Sequence, residues 1–301
     1  MLTWAVAVAL AGAFCLALGS ALQERDAIRA PGGSVARLGF LWHLVRRPRW
    51  LFGSLAAAAG VGLHLVALSA APLTIIQPLG VTGLLFAIVL SALFSRRRVR
   101  AGQLLAGAAV MGGLIGLLTL FPHSADSPVL PLSAALALTG GIAVAGTAGY
   151  LVAHWVPAGP RAVLLAVLGG AALGTTSALA RVVAVRAATD LTAVFGWLTL
   201  LAVAVAVFGG LLQQNAYRTG HFAAAYATLL VVDPAVGAGI GVLVLGERVP
   251  ATPFDQVLAA GAALLAIAGT AVLARAENRN PEALRRSSST DLVHTTPGDS
   301  R

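Results

Sequence analysis

The sequence has no lysine: all twenty of its basic residues are arginine, a bias that reports a GC-rich genome more than any chemistry. Charge of either sign is scarce, at 10% of 301 residues, while 58% are hydrophobic and the mean hydropathy is +0.88. No water-soluble domain buries that much apolar surface, so lipid must solvate much of it. A single cysteine, Cys15, lies inside the first apolar run, which excludes an intrachain disulfide and a metal site built on thiolates, and leaves the redox compartment open. There is no Gly-x-Ser-x-Gly, no His-Glu-x-x-His, no Walker loop and no second acid in mid-span to complete an aspartyl pair. An enzyme is therefore not expected, nor a cofactor or a bound metal. The net charge of +9 does not point to nucleic acid, because the arginines stand at the ends of apolar runs, where they set topology and meet anionic lipid.

A helix needs about 20 apolar residues to cross the hydrocarbon core. Runs of that kind cover 3–22, 51–70, 72–94, 101–121, 130–153, 162–185, 191–213, 222–245 and 254–274. The first run lacks the positive start of a signal peptide and reads as a membrane helix. Leu38 to Val45 is apolar but hemmed by Arg37, Arg46, Arg47 and Arg49, and reads as a short helix lying on the surface. With nine spans and the N-terminus outside, seventeen of the twenty arginines fall on the cytoplasmic side and only Arg181, Arg186 and Arg248 outside. This places the chain in the inner cell membrane with a cytoplasmic C-terminus. From Arg275 onward the composition turns polar, and 275–301 reads as a disordered cytoplasmic tail in which a phosphorylation site has weak support.

Laying Gln77-Pro78-Leu79-Gly80 over Asp233-Pro234-Ala235-Val236, an offset of 156 residues, pairs two helices that each carry a proline and are each followed by a short turn and another span. Five crossings separate the pair. An odd number inverts the second copy, and inverted repeats characterise transporters. The expected units are 1–121, including a cytoplasmic loop at 23–49, and 130–274.

The residues here also carry a resemblance. Gly60, His64 and Ala67, followed by Ala71-Pro72-Leu73-Thr74-Ile75-Ile76-Gln77-Pro78-Leu79-Gly80, resemble the third-helix region of the NIPA-like branch of the drug/metabolite transporter superfamily. Leu22-Gln23 and Pro48-Arg49-Trp50 with Gly53 look like the same branch, and Asp233-Pro234 through Leu245-Gly246-Glu247-Arg248 is similar to a second EamA-type repeat. The resemblance covers residues 1 to about 274. It implies an all-α membrane protein of nine or ten transmembrane helices in two inverted repeats, an EmrE/EamA-like bundle, moving metabolites, drugs or, in the NIPA branch, Mg²⁺. Where that branch has an acid after the glycine matched by Gly60 this chain has Val61; His64 replaces an asparagine, and Ser91 and Ser95 stand where another acid is expected. Magnesium prefers oxygen ligands, often carboxylates, so these departures point away from it.

Of eleven acidic residues only Asp233 falls in mid-span, where a charge costs about 2.5 to 3.5 kcal/mol and demands a partner, water or a proton. At helical spacing Tyr226, Leu230, Asp233, Gly237 and Gly241 share one face, expected to point inward. Pro234 frees the carbonyl of Leu230 to line a cavity or bends the helix. Gln77 is the counterpart of Asp233 under the repeat, with Thr74 one turn earlier and Pro78 beside it. His64 lies on a small-residue stripe with Gly53, Ala57 and Gly60, as a hydrogen-bonded core residue or a group that protonates near neutral pH. Gln213, Gln214 and Asn215 end one span and His221 begins the next, a set that forms a gate or only an interface, and Glu247-Arg248 reads as an interfacial ion pair.

The sequence thus points to a transporter of a small solute working by alternating access. Substrate or coupling-ion contacts fall to Asp233, Gln77, His64, Tyr226 and Thr74, with Pro78, Pro234 and Gly237 as hinge or cavity backbone. Lipid and the small-molecule or ion substrate are the expected partners, with a homodimer allowed. The rivals are a NIPA-like divalent-cation pathway and a non-transporting membrane scaffold.

Overall fold

A computed structural model describes residues 2–30, 38–70, 76, 79–96, 98–120, 130–187, 189–246 and 252–278. Among these are ten α-helices: α1 (Leu2–Arg29), α2 (Leu38–Val45), α3 (Pro48–Ala70), α4 (Gly83–Phe94), α5 (Ala101–Leu120), α6 (Leu132–Val152), α7 (Ala158–Ala187), α8 (Trp197–Arg218), α9 (Phe222–Leu243) and α10 (Pro253–Asn278). A 3-10 turn at Leu191–Phe195 joins α7 to α8; the side chain of Asp190 caps it by accepting from the Thr192 amide.

Seven of the helices, α1 and α5 to α10, are long and apolar enough to cross a membrane. Their outward surfaces carry Leu105, Val144 and Leu200 with 71%, 73% and 71% of their area exposed, a pattern that only lipid makes favourable. The chain is a multi-pass helical membrane protein. α3 adds 23 residues packed along α1. α4 has only 12 residues, about 18 Å of helix against a hydrocarbon core of about 30 Å, inside an apolar helical stretch from Leu79 to Phe94. Apart from Ile76, the rest of the run expected at 72–94, including Thr74, Gln77 and Pro78, lies outside the described residues, as do Glu247, Arg248 and the tail from 279.

Several expected boundaries move. α1 does not stop at residue 22 but continues to Arg29, so Gln23, Glu24 and Asp26, read as loop, form its last two turns. α7 has 30 residues rather than the 24 expected at 162–185. The run expected at 191–213 opens as the 3-10 turn and becomes α-helical only at Trp197, after the extended Gly196. In the first two cases a charged or amide side chain ends the apolar window without ending the helix, because backbone hydrogen bonding continues wherever those side chains find partners.

Lipid tails are as apolar as leucine, so close approach of backbones, rather than the hydrophobic effect, must hold such helices together. α1 and α3 meet through glycine on both sides. A Cβ on Gly19 would collide with the carbonyl oxygen of Gly53, and one on Gly60 would stand 2.7 Å from the carbonyl oxygen of Gly12. α7 packs along α8 and α9, α5 pairs with α10, and α4 touches both α1 and α9.

Candidate functional site

Asp233 sits eleven residues after the start of α9 and ten before its end, so the middle of a membrane span carries a carboxylate. It is partly exposed. The helix runs unbroken through Pro234. α7 crosses α9 at this level and is stripped of side chains where it does so: a Cβ on Gly170 would lie 2.9 Å from the Cβ of Val232, and one on Gly174 would overlap the carbonyl oxygen of Asp233 and come within 3.1 Å of the Gly237 nitrogen. One turn on, the exposed Ser177 hydroxyl donates a long 3.4 Å hydrogen bond to Asp233 Oδ1. The Asp233 site is thus a carboxylate beside a glycine face of a neighbouring helix, with one hydroxyl donor.

The face expected to point inward does so at Tyr226 and Gly241, which are buried, while Leu230, Asp233 and Gly237 are partly buried. Tyr226 does not flank the carboxylate, however. Seven residues separate the two, about 10 Å along the axis. Its ring stacks on Phe222 at 5.5 Å, its hydroxyl bonds to Ser20 of α1, and it lies close to Gly83 of α4. His64 points elsewhere again: its imidazole packs against Gly80, where a Cβ would stand 3.0 Å from Cε1. The described contacts therefore set Asp233 and Gly237 against α7, and set Tyr226 and His64 against Gly83 and Gly80. Thr74, Gln77 and Pro78 fall outside the described residues.

A second polar centre, larger than the first, sets Gln213 and Gln214, expected from the sequence as part of a gate or an interface, among polar groups of α1, α3 and α4. It lies at the end of the bundle where α1 and α8 finish and α3 begins. Trp50 Nε1 of α3 donates to Gln214 Oε1 of α8 at 3.4 Å, Gln214 Nε2 donates to Gln23 Oε1 of α1 at 2.9 Å, and Gln23 Nε2 donates to Ser54 Oγ of α3 at 3.0 Å. Beside this chain Glu24, only 3% exposed, accepts from Ser91 Oγ of α4 at 2.7 Å. Tyr217, fully buried, accepts from Gln213 Nε2 at 2.8 Å and bonds to Ser20. Arg218 Nη2 donates to the carbonyl of Ala30 at 3.0 Å. Gln213, Gln214 and Asn215 lie in the last two turns of α8, at the end of a span as expected, and Gln214 and Asn215 are buried. The sequence signal was present in the glutamines that close the first and seventh apolar runs; what it lacked was the fact that they face each other across 191 residues.

Glu277 near the end of α10 is a group missed, hidden at the edge of what reads as tail. Its carboxylate oxygens accept from the amides of Ala223 at 3.1 Å and Ala224 at 3.0 Å, so a side chain from α10 caps the start of α9. Among the described residues no group of three or more His, Cys, Asp or Glu side chains could hold a metal ion.

The chain is 27% identical over 285 residues to an uncharacterized protein of Corynebacterium glutamicum, a match that covers 90% of this chain and 94% of that one. No protein-family model matches the chain. No solved structure matches it. The match spans most of both chains, so the two proteins are alike in length.

Proposed function

We propose that this protein carries a small solute, a metabolite or a drug-like molecule, across the membrane by alternating access, with Asp233 binding a proton or the cationic part of the substrate. The observation that carries the reading is the partly exposed Asp233 carboxylate in the middle of α9, opposite the glycine face of α7. A carboxylate at that depth costs several times thermal energy and is retained where it acts on a substrate, an ion or a proton. The order of packing supports the same reading. α1 lies along α3 and α4, and α7 lies along α8 and α9; α4 meets α9 and α5 meets α10. Glycine faces glycine in both halves, Gly19 against Gly53 and Gly169 against Gly209. This is the neighbour order expected of two repeats, α1, α3, α4, α5 and α7, α8, α9, α10, as in the drug/metabolite transporter superfamily that the sequence resembles. We read the arginine-rich end as cytoplasmic.

The test is flux in reconstituted vesicles loaded with a pH-sensitive dye and challenged with a panel of organic cations and with Mg²⁺. The expected result is proton movement coupled to one class of organic cation in the wild type and lost in Asp233→Asn, with membrane level and folding retained. Unchanged coupling in Asp233→Asn would reject the role of the carboxylate. Flux of Mg²⁺ alone would favour the divalent-cation reading, and loss of the folded protein the scaffold.

A further inference from the structure

Between Asp26 and Asp126 the chain carries nine arginines and no acidic residue. Of the nine, Arg46 and Arg47 follow α2 directly and Arg49 is the second residue of α3, and α2 is built to lie at a fixed depth. Its Phe40 and Leu44 are buried one turn apart against the bundle, where the Arg218 guanidinium stands 5.2 Å over the Phe40 ring. Its other side presents Trp42, 63% exposed, and Val45. The lipid-facing surface of α3 begins two residues beyond Arg49, at the exposed Leu51, Phe52 and Leu55. Trp42 and the arginines are therefore held at the edge of the apolar surface, the level at which headgroups sit and at which tryptophan is favoured.

The three arginines are not equivalent. Arg49 Nη1 lies 3.6 Å from Asp26 Oδ1, so its charge is already matched. Arg46 and Arg47 have no carboxylate partner among the described residues. The Arg46 guanidinium stands 5.0 Å over the Trp42 ring, and Arg47 is in hydrogen-bond contact with His43 Nε2 at 3.1 Å. Both side chains are thus anchored to their own helix one turn back while their positive charge stays uncompensated. A guanidinium fixed in this way recognises a phosphate more strongly than a freely rotating ammonium does.

We infer that α2 with Arg46 and Arg47 is a binding site for the headgroup of an anionic phospholipid, the phosphate taken by the two guanidiniums and the acyl chains lying against Trp42, Val45 and the first turns of α3. The site is independent of the transport reading, since nothing in it touches Asp233. The test uses the full chain in detergent, titrated with phosphatidylglycerol or phosphatidylcholine and read by native mass spectrometry of retained lipid. Wild type retains phosphatidylglycerol in preference to phosphatidylcholine. An arginine near an anionic surface is worth about a fivefold change in affinity, so Arg46→Gln with Arg47→Gln lowers phosphatidylglycerol retention about thirtyfold. Trp42→Ala, which keeps both charges and removes the stacking platform, lowers it less, and Arg96→Gln with Arg98→Gln, on a different loop, leaves it unchanged. Equal retention by the Arg46/Arg47 variant and wild type overturns the site. Displacement of the lipid by soluble glycerophosphate or inorganic phosphate at millimolar concentration also overturns it, because the pocket would then be one for a free anion.

Discussion

Glu277→Ala is the substitution whose cost the structure defines best. The carboxylate is 7% exposed and accepts from two amides, those of Ala223 and Ala224, which are second and third in α9 and have no partner within their own helix. A negative group at this position also meets the positive end of the α9 dipole. Truncation leaves two buried N–H groups unsatisfied. A hydrogen bond to a charged group contributes about 1.5 to 3 kcal/mol, but the two share one carboxylate and do not add, so the expected loss is about 3 kcal/mol. Glu277→Gln keeps a carbonyl oxygen that can accept from at least one amide and loses the charge, for a loss of about 1 kcal/mol. The measurement is thermal unfolding of both variants in the same detergent or nanodisc, with hydrogen exchange at the first turn of α9 as the local readout. The order wild type, Gln, Ala is expected in stability, with faster exchange confined to the start of α9 and the end of α10. Wild-type stability and exchange in Glu277→Ala would refute the reasoning, because it would mean that water satisfies those amides and that the cap is worth nothing.

The Gln23 and Gln214 pair should behave as a coupled unit: each single change to leucine costs about 1 to 2 kcal/mol by stranding the other amide, and the double change costs less than the sum, read by a double-mutant cycle on unfolding. Strict additivity would mean that the two amides are not in contact. Gly19→Ala forces α1 and α3 apart at the Gly53 carbonyl and should lower stability by about 1 to 3 kcal/mol, whereas Gly62→Ala, on α3 with no neighbour within 4 Å, should be neutral or stabilising by up to about 1 kcal/mol. The comparison is internal to one helix pair, and equal effects of the two would remove the argument for close packing.

What a single sequence reveals here depends on whether a property is written along one helix or between two. Seven of the nine expected spans were legible because a run of apolar residues is a local property with a length set by the bilayer; the runs at 51–70 and 72–94 are not among the seven. The surface helix α2 was legible to the residue, Leu38 to Val45, because arginines fence it on both sides. Asp233 was legible because an acid in such a run stands out. Ends were not: Gln23, Glu24 and Asp26 break the apolar window while the backbone stays helical. Nor were pairings. Gln23 with Gln214, Glu24 with Ser91 and Glu277 with the start of α9 depend on the rotation and register of separate helices, and no periodicity within one helix encodes those. The same limit explains Tyr226. Helical spacing put it on the face of Asp233 correctly, but which neighbour a residue meets changes every two turns along that face, and at Tyr226 the neighbours are α1 and α4 rather than α7.

Two contacts of opposite character join the halves, and the transport reading assigns them different tasks. Along α5 and α10 the backbones nearly touch: a Cβ on Gly113 would lie 2.8 Å from the Cβ of Ala266, and one on Gly269 2.8 Å from the carbonyl oxygen of Ala106. Such a seam has no water-compatible alternative, since separating it opens a void in lipid that nothing polar can fill. The chain of Trp50, Gln214 and Gln23 differs, because each of its hydrogen bonds can be exchanged for one to water if that end of the bundle opens. A rocking motion should therefore pivot on the α5–α10 seam and break the amide clasp. The expected outcome in a Cys15→Ala background is that joining Gly112→Cys to Leu265→Cys, neighbours across the seam that a side chain on residue 112 does not crowd, with a short bifunctional thiol reagent leaves flux near the wild-type rate, while joining Gln23→Cys to Gln214→Cys with the same reagent stops it, and a reducible version of that reagent restores it on reduction. Both measurements use the same vesicle assay, with cross-linking scored on gels. Full flux through a protein locked between residues 23 and 214 would show that this end need not open, and arrest by the 112–265 link would place the moving seam between α5 and α10.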